Sequence, residues 1–278
     1  MKIIDLFCGA GGFSLGFKQE SFTIVEAYDF WDDAICTYNH NFGGGGLKKD
    51  LTQYPLRLIP TSEMGIDGVI GSPPCVEFST ANANGNVLDG LLLIYRFLEV
   101  VCHVKPKFWI MENVPDVRAF LPRVMCSNMI MLNACDFEVS QKRKRTFFGN
   151  FPSPSLTHSE HSGQKSLFSS CFQSWKRIQD VLDLNKKREI GTPSERRFGD
   201  VVMTPNEASN TLTCISRYFL KLNETIYELD CDDLKRLQGF PEDYKFLGSE
   251  SSVRRQIGNS VCPPVARAIA KAIKEKLT

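Results

Sequence analysis

Lys2-Ile3-Ile4-Asp5-Leu6-Phe7-Cys8-Gly9-Ala10-Gly11-Gly12-Phe13-Ser14-Leu15-Gly16-Phe17 decides the fold. The apolar run at its start reads as a strand, the glycine-rich segment behind it as a tight turn, and the remainder as a helix. Strand, glycine turn and helix form the opening unit of a nucleotide-binding α/β sheet. The dinucleotide fingerprint G-x-G-x-x-G asks for glycine at position 14, where Ser14 stands, so a phosphate cradle is poorly supported. Glycines 9, 11 and 12 still allow a ligand to lie against bare backbone.

The next elements complete a pocket around that turn. Phe22–Asp29 reads as a second strand, and its terminal Asp29 stands twenty residues after Gly9, the distance at which an acid meets ribose hydroxyls. Phe30 and Trp31 offer an aromatic face to a purine. Asp32–Phe42 continues as a helix and stops at Gly43–Gly46, and Lys49-Asp50-Leu51 sets another acid near the end of a third strand. These features describe an adenosine pocket without a pyrophosphate. The plainer alternative is an α/β sheet with polar strand ends.

A second stretch, Gly71-Ser72-Pro73-Pro74-Cys75-Val76-Glu77-Phe78-Ser79, follows the apolar run Ile66–Ile70. Proline locks φ and lacks an N–H, so Cys75 sits on a stiff turn at the end of a strand, where α/β folds present nucleophiles. A lone cysteine is more often a small buried hydrophobe, and its neighbours in the fold decide the matter. Thr80–Asp89 has the composition of a mobile surface loop. Gly90–Val104 predicts a helix with Leu93, Phe97, Val100, Val101 and Val104 on one face. Phe108–Met111 predicts an apolar strand that ends in Glu112-Asn113-Val114-Pro115. A carboxylate at the tip of a buried strand is costly unless solvated, paired or used, and this one falls at the same sheet edge as Cys75.

Leu121–Asn133 is expected to be helical, and Cys135–Phe151 to form two strands joined at Ser140-Gln141-Lys142-Arg143-Lys144-Arg145. From Pro152 to about Asn206 the periodicity weakens, as in a smaller and less regular domain. Asp232–Gln238 predicts a helix that ends at Gly239. Gln256–Val261 reads as a turn before a final helix, which Pro263 and Pro264 start and whose Val265, Ile269 and Ile273 line one side.

Composition narrows the class. A chain of 278 residues with 42% hydrophobic and 23% charged content can bury a large core, with one large domain and an appendage or with two domains. No apolar run approaches the about 20 residues of a membrane span, and the start of the chain reads as strand rather than leader, so an intracellular location is expected. The ten cysteines are scattered with no CxxC pair, and His158 and His161 have no second ligand pair near them, so no metal is expected. The net charge of +1 neither requires nor excludes nucleic acid; Lys142–Arg145 is a basic run.

Taken in order, the motifs resemble those of the cytosine carbon-5 DNA methyltransferases. The matching stretches are Asp5-Leu6-Phe7-Cys8-Gly9-Ala10-Gly11-Gly12-Phe13, Pro73-Pro74-Cys75, Glu112-Asn113-Val114, Gln141-x-Arg143-x-Arg145, Arg236-Leu237-Gln238-Gly239-Phe240-Pro241 and Gln256-x-Gly258-Asn259-Ser260-Val261. The resemblance implies a doubly wound, Rossmann-like sheet over 1–151 and 255–278, with a small irregular target-recognition domain over 152–254. It implies S-adenosylmethionine as cofactor, held by Phe7, Gly9, Ala10, Gly11, Gly12, Asp29, Phe30, Asp50, Leu51, Pro74, Leu93, Asn259, Ser260 and Val261. Cys75, Glu112, Asn113, Arg143 and Arg145 would be catalytic. Ser79, Gln141, Arg143 and Arg145 would meet DNA, with the arginines holding a flipped base and its phosphates. The implied partner is double-stranded DNA, with a restriction endonuclease as a genetic rather than physical partner. A monomer in the cytoplasm, at the nucleoid if the source is prokaryotic, completes that expectation.

The chemistry agrees with the resemblance. Cytosine carbon-5 is a poor nucleophile that becomes enamine-like once a thiolate adds to carbon-6. Addition is easier when a protonated carboxyl meets ring nitrogen N3, so the pKa of Glu112 should be raised by burial. Val76 stands where the family usually has glutamine, Ser140 replaces a proline, and the variable region after Pro152 is short. Three rivals remain: the branch that methylates transfer RNA, a catalytically silent DNA-binding relative, and a nicotinamide-dependent oxidoreductase, against which Ser14 speaks.

Overall fold

The computed structural model describes residues 1–74, 87–121, 128–160, 172–184, 199–214 and 216–277. Its centre is a seven-stranded sheet. The strands in chain order are β1 (Lys2–Leu6), β2 (Thr23–Asp29), β3 (Gly46–Lys48), β4 (Gly68–Gly71), β5 (Phe108–Asn113) and β6 (Asn128–Asn133), then a two-residue β7 (Gln141–Lys142) outside the sheet, and β8 (Lys144–Asn150). Their spatial order is β3-β2-β1-β4-β5-β8-β6, and β8 runs antiparallel to both of its neighbours. The strand order reverses at β1, with β2 on one side and β4 on the other, which is where an open α/β sheet leaves a crevice at its carboxyl edge.

Alternation along the strands builds a core on each face. Ile3, Ile70, Ile110 and Phe147 face one way, packing with Phe13 and Phe17 of α1 (Gly12–Gln19) and with Val265, Ile269 and Ile273 of the last helix. Ile4, Val69, Met111 and Phe148 face the other, against Ile94, Phe97, Val100 and Val104 of α3 (Val87–Val104). Between them in sequence, α2 (Asp32–Phe42) follows β2. Gly16 has a packing reason: a Cβ there would lie 2.5 Å from the Cβ of Ala266, so its absence lets α1 and the final helix touch.

Residues 152–254 hold short pairings instead: β9 (His158–Ser159) with β10 (Gln173–Ser174), and β11 (Val201–Met203) and β14 (Thr225–Glu228) flanking β13 (Tyr218–Leu222). β12 (Ser209–Asn210) pairs with β7 and ties this region to the sheet. A separate apolar cluster includes Ile178, Leu212, Tyr218, Leu220 and Leu229, and it extends to Leu234 and Leu237 of α4 (Cys231–Leu237) and Val253 and Ile257 of α5 (Glu250–Asn259). Helix α6 (Pro263–Leu277) closes the chain by returning to α1.

Four expectations need correction. Asn128–Asn133 is strand β6, not helix; residues 122–127 of that span lie outside the described residues. Met129 packs on one face while Ile130 and Leu132 pack on the other, and β8 needs a partner along its outer edge, so pairing overrides the helical reading of a short apolar run. The first of the two strands expected in Cys135–Phe151 is instead a 3-10 turn, Ala134–Phe137, followed by β7, which pairs outside the sheet. Gln256–Asn259 is the end of α5 rather than a turn. Helix α3 starts at Val87, inside the stretch expected to be loop; residues 80–86 of that stretch lie outside the described residues.

Candidate active site

The carboxyl ends of β1, β2 and β3 bring together the residues expected to face adenosine. After β1 the chain turns back through three positive φ angles, 57° at Phe7, 52° at Gly9 and 90° at Gly11. Phe7 takes a conformation that costs a residue with a side chain about 1 kcal/mol or more, so the loop is held by its contacts. Asp29 supplies them: its Oδ2 accepts the Gly9 N–H and its Oδ1 the Trp31 N–H, both at 2.8 Å. The Phe30 N–H also bonds to this carboxylate, which leaves one of its four lone-pair sites for a ligand hydroxyl.

A Cβ on Gly9 would meet nothing within 4 Å, so a ligand can lie against that backbone. Gly11 and Gly12 do a different job. A Cβ on Gly11 would strike Phe42 at 2.6 Å, and one on Gly12 would strike the Val261 carbonyl at 2.2 Å. Ala10, Leu51 and Val261 are buried behind the pocket. Phe30 is 70% exposed, an aromatic face with nothing covering it among the described residues. Asp50 accepts from the Thr52 backbone N–H and hydroxyl and so shapes its own turn. Leu93 is half-buried on α3 and Pro74 is exposed. Asn259 is exposed at the end of α5; Ser260 is buried, with its hydroxyl donating to the Gln256 carbonyl. Sequence reasoning missed two props of this pocket. Arg96 of α3 donates to the carbonyls of Leu51 and Tyr54, and the Tyr244 hydroxyl donates to the Ala10 carbonyl.

The tips of β4 and β5 form the other half. Glu112 is buried, with Arg145 Nε 3.2 Å from its Oε1 and a hydrogen bond to the Ser72 side chain. Burial pushes its carboxyl above the ordinary value, while Arg145, Arg143 and Ser72 pull the other way. Asn113 donates from Nδ2 to the Pro73 carbonyl at 3.1 Å and accepts the Val114 N–H, which couples β5 to the segment leading to Cys75. Cys75, Val76 and Ser79 themselves lie outside the described residues. Ser72 was a further omission; its place two residues after the end of the apolar run was the available signal.

Two residues expected to meet DNA are not at a surface. Gln141 is fully buried: its Nε2 donates to the Leu237 carbonyl and to Gln238 Oε1, and its Oε1 accepts the Leu212 N–H. Arg143 is buried as well, donating to the carbonyls of Leu212, Gly258 and Ser260 at 2.9, 2.8 and 3.2 Å. Its planar fork joins the turn before β8 to the smaller region and to α5, which leaves Arg145 as the arginine at the carboxyl edge.

A mainly parallel sheet with this order, a glycine turn after β1 and an acid after β2 defines a Rossmann-like methyltransferase. The S. pombe Dnmt2 methyltransferase has the same fold, with a TM-score of 0.73 at 18% identity over 100% of this chain and 99% of that one. Entamoeba histolytica EhMeth matches similarly, with a TM-score of 0.73 at 16% identity over 100% and 99%. In sequence, the chain is 30% identical to the type II methyltransferase M.HgiDI of Herpetosiphon aurantiacus over 100% of this chain and 95% of that protein. It is 27% identical to M.HindV of Haemophilus influenzae over 98% and 96%. The family model for C-5 cytosine-specific DNA methylases matches residues 1–213 and 173–275. The chain belongs to that family and is a DNA (cytosine-5-)-methyltransferase, a class dependent on S-adenosylmethionine.

Proposed function

We propose that this enzyme methylates carbon-5 of a cytosine in a specific double-stranded DNA sequence, through a covalent adduct between Cys75 and a base flipped out of the duplex. The observation that carries the proposal is the buried Glu112, held by Arg145 and Ser72 beside the strand that leads into Pro73-Pro74-Cys75. The Cys75 thiolate adds to carbon-6 while the Glu112 carboxyl gives its proton to N3, so the ring electrons are directed onto carbon-5. S-adenosylmethionine, when bound, supplies the methyl group. Transfer of the carbon-5 proton to water then re-forms the 5,6 double bond and expels the Cys75 thiolate, and the N3 proton returns to Glu112.

The open backbone at Gly9, the Asp29 carboxylate and the exposed Phe30 ring fit the adenosine moiety. Phe7, Asp50, Leu93, Asn259 and Ser260 complete the proposed pocket. Asn113 positions the Cys75 segment through Pro73. Residues 152–254 act as the target-recognition unit, and unstacking the target base costs a few kcal/mol, repaid by contacts to DNA.

The test is trapping. With 5-fluorocytosine at the target, carbon-5 carries no proton to lose, so the adduct persists. A denaturation-resistant complex that depends on S-adenosylmethionine and is missing in Cys75→Ala is expected. Methylation of normal duplex without any trapped complex on the fluorinated one counts against Cys75. Bisulfite sequencing of DNA treated with the enzyme reads out the target sequence.

A further inference from the structure

The adenosine side of the sheet is joined to the far end of the chain. Arg255 of α5 sets its guanidinium carbon 4.7 Å from the centre of the Trp31 ring. Trp31 caps the start of α2, and its backbone N–H is the donor to Asp29 Oδ1. Beside this contact, the Ser252 hydroxyl of α5 donates to Asp33 Oδ2 at 2.5 Å. Helix α5 therefore grips the beginning of α2 twice, once directly over the turn that holds Asp29.

We propose that Arg255 is a positioning residue for the ribose-binding carboxylate: stacked on Trp31, it keeps its charge beside the turn whose Asp29 accepts ribose hydroxyls. The proposal rests on the assignment of Asp29 to the ribose. Burial pushes the Asp29 carboxyl upward; the N–H groups of Trp31, Gly9 and Phe30 and the charge of Arg255 pull it back. Asp5 and Cys8 also face Asp29 from β1 and the turn after it. Burial raises Asp5 to about 8 and the Cys8 thiol well above its usual range, so both are largely neutral at pH 7. Nearby, the charge of Asp32 is matched by Lys48 at 2.6 Å. After the N–H groups of Trp31, Gly9 and Phe30, Arg255 is the cation that lowers the Asp29 carboxyl. An arginine suits the position because a planar guanidinium can stack on an indole and still carry its charge.

Calorimetric titration of the full chain with S-adenosylhomocysteine across pH 5–8 tests this without turnover. Affinity that needs an ionised Asp29 is present above its folded pKa and is lost as pH falls through it. Arg255→Gln raises that pKa, so its affinity is expected to fall several-fold on the acid limb, with the limb moved to higher pH, and to approach wild type on the alkaline plateau. Arg255→Lys is expected to restore the limb, and Asp29→Asn to remove it. A wild-type profile in Arg255→Gln beside a limb lost in Asp29→Asn overturns the role of Arg255. Uniform weakening of Arg255→Gln at every pH marks a purely structural contact and overturns it equally. Wild-type binding by Asp29→Asn at every pH sinks the ribose assignment itself, and the inference with it.

Discussion

At the β2 end of the sheet edge Asp29 is gripped by backbone N–H groups, whereas at the β5 end Glu112 is gripped by side chains. Both carboxyls are buried enough for desolvation to push them upward. Fixed backbone donors spread over one turn suit a charge that must stay in place and accept hydroxyls. A carboxyl held by one arginine and one hydroxyl, at the tip of a strand sealed on both faces, suits a group that must carry a proton and release it. In the proposed reaction one sheet would thus offer a site for ionised recognition and a site for proton transfer, and the two carboxyls differ in their donors more than in their depth.

That contrast can be broken by exchanging each acid for its amide. Glu112→Gln should lower turnover by about 10²–10⁴-fold, the range of a lost general acid, with S-adenosylhomocysteine affinity unchanged. Asp29→Asn should do the reverse, with the larger loss in cofactor affinity. Single-turnover rates together with binding titrations separate the two. If both variants lose cofactor affinity equally, the two halves of the edge are not independent.

Arg143 and Arg145 sharpen it further. Arg143→Met strips three backbone carbonyls of their buried donor and should cost roughly 3 kcal/mol of stability, read as a lower denaturation midpoint. A variant as stable as wild type would show that those contacts carry no net free energy.

A separate, pH-dependent effect concerns Asp5, beneath the glycine turn. Its Oδ2 accepts the Ser14 hydroxyl at 2.6 Å, Ser14 in turn accepts the Tyr38 hydroxyl, and Oδ1 has no hydrogen-bond partner among the described residues. Burial raises it from 3.8 to about 8. Below pH 3.8 both folded and unfolded chains hold this proton. Above it the folded state keeps a proton that the unfolded state has lost, so stability declines with rising pH and levels off beyond about 8. Asp5→Asn should flatten this part of the profile between pH 5 and 8, as measured by thermal midpoints. An unchanged slope would mean that another group carries it.

Much of the sheet half is legible in the sequence because its information is local. Glycines behind an apolar strand, an acid after the second strand and prolines before Cys75 each state a backbone requirement on the spot. The end of helix Asp32–Phe42 follows from the glycine run behind it, and the buried side of α6 from periodicity. Leu121–Asn133 misleads because its apolar run is short, and only the unpaired edge of β8 makes its end a strand. Gln141 and Arg143 mislead for a related reason: a basic, polar run looks like a surface until chain from residues 212, 237 and 258 folds over it and supplies the partners.

The sequence by itself determined the kind of sheet and the family to which it belongs, since both depend on residue types at fixed short spacings. The tertiary structure alone decided which of two neighbouring arginines reaches Glu112, which glycine faces open space and which faces another helix, and that α5 returns to lay Arg255 on Trp31. These are contacts between segments remote in the chain, and burial, hydrogen bonding and charge pairing act only once packing has brought such segments together.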